Sequence, residues 1–167
     1  MPSAAHLIDW IAILVLTSAL VAAAISDAVT FLIPNRYPAA IAIAFIVYAI
    51  GKPAPFWLHG VVAGVALFAV GAWTFHNGIL GGGDVKLLTA SALWAGFDQL
   101  ALLLFVTAIG GGILALAQLS PLHRLLPTRA GGPPVGDDLR HKFRQPIPYG
   151  LAIAVAGVCV AVTRLTP

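Results

Sequence analysis

Residues 10–30 read WIAILVLTSALVAAAISDAVT, and this stretch decides the fold class. A helix that crosses a bilayer needs about 20 mostly apolar residues. The run Trp10–Ser26 supplies most of them, and the helix can continue past Asp27 until Pro34 disfavours the helical conformation of Ile33. The stretch therefore predicts a membrane span with a carboxyl group near its end. A charge in that position is costly and usually functional.

The rest of the chain has the same apolar character. Of its 167 residues, 60% are hydrophobic and 9% are charged, against roughly 45–50% and 25% in soluble proteins. A water-soluble domain of this size could not bury so much apolar surface, so we predict an integral membrane protein in contact with lipid. The net charge of +3 does not indicate nucleic-acid binding, because the basic residues lie between hydrophobic runs. The single cysteine, Cys159, excludes a disulfide framework and a zinc knuckle.

Six apolar runs predict an all-α, polytopic membrane protein that forms a single domain over residues 1–167. Residues 1–9 contain no Lys or Arg, so the first run lacks the basic region of a cleaved signal peptide and is expected to remain as a span. The second and fourth runs are short, as helices surrounded by protein can be. The predicted spans are Trp10–Ser26, Tyr37–Ile50, Trp57–Phe75, Val85–Phe97, Leu100–Leu119 and Ile147–Leu165.

The basic residues predict the orientation of these spans. With the N-terminus outside, only Lys52 and Arg164 fall on the outer side, and the other basic residues fall inside, as the positive-inside rule requires. The Pro- and Gly-rich segment 120–146 is then a cytoplasmic loop. The basic residues assigned to the inner side are Arg36, Lys86, Arg124, Arg129, Arg140, Lys142 and Arg144.

The chain has six acidic residues, all of them aspartate. Four have ordinary interpretations, namely solvation in the basic loop for Asp137 and Asp138, an N-cap of the fifth helix for Asp98, and an interfacial position for Asp9. Asp27 and Asp84 differ, because Asp27 lies inside the first span and Asp84 opens the fourth. Two spans separate them, so both are expected on one face of the membrane, which the charge distribution makes the cytoplasmic face.

Two carboxyl groups at one membrane boundary are typical of an aspartic protease. One ionised carboxylate deprotonates a water molecule while the other, protonated, polarises the peptide carbonyl. Like charges at short range cannot both ionise, so the pair shares one proton. The helix dipole favours the anion at the N-terminus of a helix and disfavours it at the C-terminus. We therefore predict that Asp84 is the general base and Asp27 the acid.

The three glycines before Asp84 are predicted to position the substrate. Gly81, Gly82 and Gly83 lack Cβ atoms, permit positive φ, and let another backbone approach closely. A protease must bring an extended substrate segment against its acids, and bulky side chains in this position would block it. Three glycines alone would indicate an ordinary turn. Because an intramembrane aspartate follows them directly, they instead favour a substrate-positioning segment.

These motifs resemble those of a known family. GGGD at 81–84 is similar to the GxGD signature of intramembrane aspartic proteases, and GGGDVKL resembles its form in the type IV prepilin peptidases. SDAVTFLIPN looks like the first catalytic segment of that family, and QPIPYGLAIAVAG at 145–157 is similar to the Pro-Tyr-Gly start of its last helix. Within the family, the chain resembles the short form that serves tight-adherence (Flp-type) pili.

The resemblance implies a peptidase of the bacterial inner membrane that removes the basic leader from prepilins and pseudopilins on the cytoplasmic side. It also implies catalytic roles for Asp27 and Asp84. Longer members carry an N-terminal domain with paired cysteines, and many methylate the new N-terminus of the pilin. This chain has no cysteine pair, so we assign neither methyltransferase activity nor an S-adenosylmethionine cofactor. His123 and His141 lack ligand-like spacing, and no metal is assigned.

Other residues are assigned structural roles. Lys86 lies about 200° around the helix from Asp84, so it is predicted to face away and anchor the helix at the interface. His76 is expected on the active face without a catalytic role. Pro146, Pro148 and Gly150 are predicted to set the start of the last helix, with substrate contact as the alternative. Interfacial positions near span ends are predicted for Trp10, Trp57, Trp73 and Trp94.

Two other functions are alternatives to the peptidase. A small multipass transporter could relay protons or bind a cation with the two aspartates, but it would place them near the bilayer midplane and show repeat symmetry. The acids here lie near helix ends, and no repeat is visible in the sequence. A non-catalytic assembly subunit would leave the paired aspartates without a purpose. The sequence leaves the oligomeric state open.

Overall fold

A computed structural model describes residues 4–119 and 148–165, and every regular element among them is a helix. The prediction of an all-α protein is thus confirmed for this part of the chain. The predicted loop 120–146, with Asp137, Asp138, His123 and His141, lies outside the described residues. The helices are α1 (Ala4–Thr30), α2 (Arg36–Ala49), α3 (Ala54–His76), α4 (Gly82–Leu119) and α5 (Tyr149–Leu165).

Proline and glycine set the boundaries of the first three helices. Pro34 lies between α1 and α2, and Pro53 directly precedes α3, where its fixed φ suits the start of a helix. Gly78 ends α3 with φ +69°, while the N–H of Ile79 donates to the carbonyl of Thr74 at 2.9 Å. This is the Schellman pattern that closes a helix on a left-handed glycine.

Helix α4 consists of two limbs, because Gly96 has the non-helical angles φ 57° and ψ −168°. Only glycine adopts this conformation readily. The limbs, residues 82–95 and 97–119, correspond to the fourth and fifth predicted spans. The prediction that Asp98 caps the fifth helix was wrong, because Gly96 occupies the break and Asp98 lies two residues inside the following limb, exposed.

The second limb of α4 runs back along the bundle. A Cβ atom built on Gly96 would lie 3.8 Å from the guanidinium of Arg164, near the C-terminus of α5. A Cβ atom on Gly111 would instead collide with the ring of Tyr149, the first residue of α5. These two ends of α5 are about 20 Å apart at 1.5 Å per residue. The chain therefore reverses at Gly96, and the limbs are antiparallel.

The first limb of α4 is the central helix of the bundle. Among residues 82–95, which form this limb, only Lys86 is exposed. Helix α3 packs closely against it through glycines, because Cβ atoms at Gly64 and Gly71 would lie 2.7 Å from side-chain atoms of Leu93 and Val85. Helices α2 and α5 also contact α4, and α1 packs on α2 and α5. Burial by protein on all sides explains how this predicted span can be short.

An aromatic cluster fills the bundle near Gly96. The indole of Trp94 is 1% exposed and donates its N–H to the carbonyl of Ile41 at 3.1 Å. Its ring centroid lies 5.0 Å from that of Tyr48 and 6.0 Å from that of Phe45. The prediction of an interfacial position for Trp94 was therefore wrong. The residue lies near the end of a helix limb, but it is buried inside the protein. Trp10, Trp57 and Trp73 are exposed.

The outer surface has the character of a membrane protein. Large exposed apolar side chains occur on α1, α2, α3, the second limb of α4 and α5, and a water-soluble protein rarely exposes such continuous apolar surface. Three helical runs, His6–Thr30, Ala54–His76 and Gly82–Ala117, are long and apolar enough to cross a membrane. Two shorter apolar helices, Arg36–Ala49 and Tyr149–Arg164, accompany them.

The bundle has two chemically distinct ends. The Gly96 end contains the ion pair of Asp9 and Lys52, with an N–O distance of 2.8 Å, and the Arg164 guanidinium, which lies over the ring of Phe56. The opposite end, the aspartate end, contains Asp27 near the end of α1, Asp84 at the start of α4, and the start of α5.

Candidate active site

Asp27 is a buried acid in the last turns of α1. Its side chain is 5% exposed, and Oδ2 accepts a hydrogen bond of 2.7 Å from the backbone N–H of Gly150. A buried carboxyl group needs such a partner, because its desolvation is otherwise uncompensated. The helix thus continues past Asp27, as the sequence predicted, and ends three residues later at Thr30.

The chain leaves α1 through a constrained turn. Phe31 has φ +54°, and among the described residues it is the one non-glycine with positive φ. Such a conformation costs about 1–2 kcal/mol for a residue with a Cβ atom. The hydroxyl of Ser26 supports the turn by donating to the carbonyl of Leu32 at 2.9 Å. The turn brings Ile33 against Gly83, where an added Cβ atom would lie 3.0 Å from Cβ of Ile33.

Asp84 lies in the first turn of α4 and is partly buried. Ile33, six residues after Asp27, packs against Gly83, the residue directly before Asp84, so the two aspartates lie at the same end of the bundle. The Oδ2 atom of Asp84 lies over Gly81, 2.8 Å from where a Cβ atom on that glycine would be. The two aspartates singled out in the sequence therefore share one end of the bundle, although they come from different helices.

The three glycines before Asp84 permit close approaches within the protein. Cβ atoms on Gly82 and Gly83 would lie 3.2 Å from the Phe75 ring and 3.0 Å from Ile33, and the nearest atom to one on Gly81 would be Asp84 Oδ2. None of the three uses the positive φ that glycine permits, because the described glycines with positive φ are Gly51, Gly78 and Gly96. Of the three, Gly81 is exposed, whereas Gly82 and Gly83 are partly buried.

A hydrogen bond that the sequence did not predict joins the segment after α1, the helix that carries Asp27, to the start of α4, which carries Asp84. Nζ of Lys86 donates to Oδ1 of Asn35 at 2.9 Å, linking α4 to the residue before α2. Lys86 is exposed, which agrees with its predicted direction away from Asp84. The two residues lie 51 positions apart. The sequence singled out Asn35 only as the last residue of the segment SDAVTFLIPN.

The remaining predicted residues of this end play smaller parts. His76 is exposed at the C-terminus of α3. Pro148 is buried directly before α5, and Gly150 contacts Asp27. The role of Gly150 in holding a carboxyl group was missed, because the two residues are 123 positions apart. Among the described residues, no group of three His, Cys, Asp or Glu side chains could hold a metal ion.

Residues 14–116, more than half of the chain, match the type IV leader peptidase family. The protein belongs to that family. The resemblance to type IV prepilin peptidases is therefore confirmed, and the matched range includes both Asp27 and Asp84. The chain matches no curated protein and no solved structure. Membership of the type IV leader peptidase family implies peptidase activity, with prepilins as the implied substrates.

Two carboxyl groups at one end of the bundle suit the chemistry of a leader peptidase. Of two carboxylates at short range, one retains a proton, so the pair offers a base and an acid together. Peptide hydrolysis needs both, because water must lose a proton as the carbonyl oxygen gains one. Asp27, near the end of α1, and Asp84, at the start of α4, are the two carboxyl groups that the aspartate end offers for this chemistry.

Proposed function

We propose that the protein is an intramembrane aspartic endopeptidase that removes the leader from Flp-type prepilins and pseudopilins, with Asp27 and Asp84 as its catalytic residues. The observation that carries the proposal is that buried Asp27 and Asp84 lie at the same end of the bundle in a chain of the type IV leader peptidase family. Gly81, Gly82 and Gly83 are proposed to position the substrate, chiefly through the exposed backbone of Gly81.

The proposed reaction uses both protonation states of the pair. Ionised Asp84 removes a proton from water while the water oxygen bonds to the scissile carbonyl carbon, and protonated Asp27 gives its proton to the carbonyl oxygen. The resulting gem-diol breaks its C–N bond when Asp84 protonates the nitrogen and Asp27 takes back a hydroxyl proton. The products are a carboxylic acid and an amine, and the pair returns to its starting state.

We also propose six membrane crossings, with the N-terminus outside and the aspartate end at the cytoplasmic face of the bacterial inner membrane. The antiparallel limbs of α4 support two crossings in place of one. The exposed cations Arg36 and Lys86 lie at the aspartate end, and the segment 120–146 with five further basic residues connects the two helices that meet there. Basic residues favour the inner side.

The transporter alternative gains no support from this geometry. A proton or cation pathway would place its acids near the middle of the spans. Asp27 instead lies three residues before the end of α1, and Asp84 lies in the first turn of α4. In the proposed arrangement both positions lie close to the membrane boundary, where a leader peptide outside the bilayer can reach them.

Asparagine substitutions test the proposed function. We expect that Asp27→Asn and Asp84→Asn each abolish processing of a co-expressed Flp-type prepilin, followed by gel shift, because asparagine preserves shape but cannot ionise. Asp98→Asn is the matched control, since Asp98 is exposed near Gly96 and should leave processing unchanged. Membrane insertion of each variant is checked by fractionation. Full processing by both Asp27→Asn and Asp84→Asn would exclude the aspartic mechanism.

A further inference from the structure

The start of α5 contacts the Asp27 carboxyl group at very short range. The N–H of Gly150 donates to Oδ2 at 2.7 Å, in a buried environment. The first N–H groups of a helix have no partner within the helix, so Asp27 of α1 satisfies one of them for α5. This contact joins residues 123 positions apart.

Only glycine fits at position 150. A Cβ atom there would lie 2.8 Å from Oδ2, 2.9 Å from Cβ and 3.0 Å from Cγ of Asp27. Rotation of the carboxyl group could relieve the first contact, but the second involves the Cβ atom, which moves only with the backbone of α1. Any larger residue would therefore displace Asp27 or separate α1 from α5.

The surroundings of Gly150 hold its N–H in place. Pro148 is buried, and its carbonyl accepts a hydrogen bond from the N–H of Leu151 at 3.3 Å. The ring of Tyr149 packs into the space left by Gly111 in the second limb of α4, which a methyl group would fill. The first turn of α5 is thus fixed from both sides of Gly150.

We infer that Gly150 is a positioning residue of the peptidase, whose backbone N–H fixes Oδ2 of Asp27 and directs Oδ1 to carry the proton shared with Asp84. The inference rests on the proposed function. An oxygen that already accepts an N–H bond is the poorer site for a proton, so the bond makes the two oxygens of Asp27 unequal. It orients the acid before substrate binds, which reduces the reorganisation needed during the reaction.

Two changes at position 150 test the bond in the full-length protein. Replacing the Gly150 residue by glycolic acid turns its amide into an ester, which removes the N–H without adding an atom. Gly150→Ala keeps the N–H and adds the methyl group. We expect each to lower kcat by about ten- to hundredfold, to change the pH profile of kcat, and to leave KM within about twofold, with a Flp-type prepilin that the wild type cleaves.

Two alanine variants serve as matched controls. Gly157 lies on the same helix, and its Cβ atom would meet the flexible side chain of Leu20 at 2.7 Å, whereas a Cβ atom on Gly112 would meet nothing within 4 Å. We expect Gly157→Ala to lower thermal stability without changing the pH profile of kcat, and Gly112→Ala to change neither. A stability cycle tests the contact without activity, because Gly150→Ala should destabilise the wild type more than the Asp27→Gly variant, which lacks the Cβ atom that the methyl group would meet.

The outcomes separate the two proposals. If the ester keeps the kcat and pH profile of the wild type, the positioning role is overturned even when Asp27→Asn and Asp84→Asn are inactive. If the stability cost of Gly150→Ala is the same with and without the Asp27 side chain, the contact itself is refuted. If the wild type cleaves no prepilin, or the asparagine variants remain active, the proposed function fails first.

Discussion

At the scale of single residues, the glycines before Asp84 differ in what a methyl group would contact. At Gly81 it would press on Oδ2 of Asp84 at 2.8 Å, whereas at Gly82 it would meet the exposed ring of Phe75 at 3.2 Å. A ring on the surface can move, but a carboxyl group with the catalytic role proposed for Asp84 must keep its position. The three glycines are therefore not equivalent, although the sequence presents them as one motif.

We accordingly expect Gly81→Ala to lower kcat/KM by about ten- to hundredfold, because a small displacement of a reacting group is costly. Gly82→Ala should remain within about threefold of the wild type. Both values come from initial rates of prepilin cleavage by purified protein, with folding checked by thermal unfolding. Equal losses in the two variants would contradict a specific contact between Gly81 and Asp84.

Part of the site could be read from the residues themselves. Asp27 and Asp84 stand out because the chain has few acids and these two interrupt or open apolar helices. The bonds that fix the site could not be read in the same way. Gly150 to Asp27 and Lys86 to Asn35 join positions far apart in sequence, and such pairings depend on how helices pack, which local patterns do not encode.

At the scale of helices, the break at Gly96 is stabilised by a side chain from another helix. The last carbonyl groups of a helix limb lack partners within it. Arg164 of α5 supplies hydrogen-bond donors to these carbonyl groups. Its Nη2 donates to the carbonyl of Trp94 at 2.9 Å and to that of Ala95 at 3.1 Å. The charge distribution predicted only an outer position for Arg164, because it indicates the side of the membrane on which a residue lies and not the residue's partner.

Replacing Arg164 should therefore destabilise the bundle. We expect Arg164→Met to lower the free energy of unfolding in detergent micelles by about 1–3 kcal/mol, because two partly buried carbonyl groups lose their donors. Arg164→Lys should recover part of this loss, since an ammonium group cannot reproduce the planar fork.

Lys52→Met is the matched control for Arg164→Met at the same end. The side chains of Lys52 and Asp9 are 30% and 25% exposed in their ion pair, and exposed pairs contribute at most about 1 kcal/mol. Equal destabilisation by Arg164→Met and Lys52→Met would show that the carbonyl contacts of Arg164 contribute nothing beyond its charge.

At the scale of the whole molecule, hydropathy predicted where the helices lie in the sequence better than it predicted whether lipid or protein surrounds them. The runs of apolar residues predicted each described helix, because a spanning segment must satisfy its backbone internally. Hydropathy does not distinguish lipid from protein, however. Trp94 was therefore predicted to be interfacial, although it is buried. The short length of the first limb of α4 was predicted from hydropathy, but its position at the centre of the bundle was not.

The orientation of the molecule yields a prediction for surface labelling in a Cys159→Ala background. His76 lies exposed at the aspartate end, and Asp98 lies exposed at the Gly96 end. If the aspartate end faces the cytoplasm, as we propose from the positive-inside rule, a membrane-impermeant maleimide should label Asp98→Cys in intact spheroplasts. His76→Cys and Arg129→Cys should react only after the membrane is opened.

The Arg129→Cys variant tests the reversal at Gly96 independently of the orientation. If both limbs of α4 cross the membrane, the chain after the second limb returns to the side of His76, so these two positions must always label together. Labelling of His76→Cys from outside, with Asp98→Cys protected, would invert the orientation but keep the six crossings. Labelling of Arg129→Cys together with Asp98→Cys would instead show that the second limb does not cross, which would contradict the antiparallel arrangement that places α5 beside Asp27.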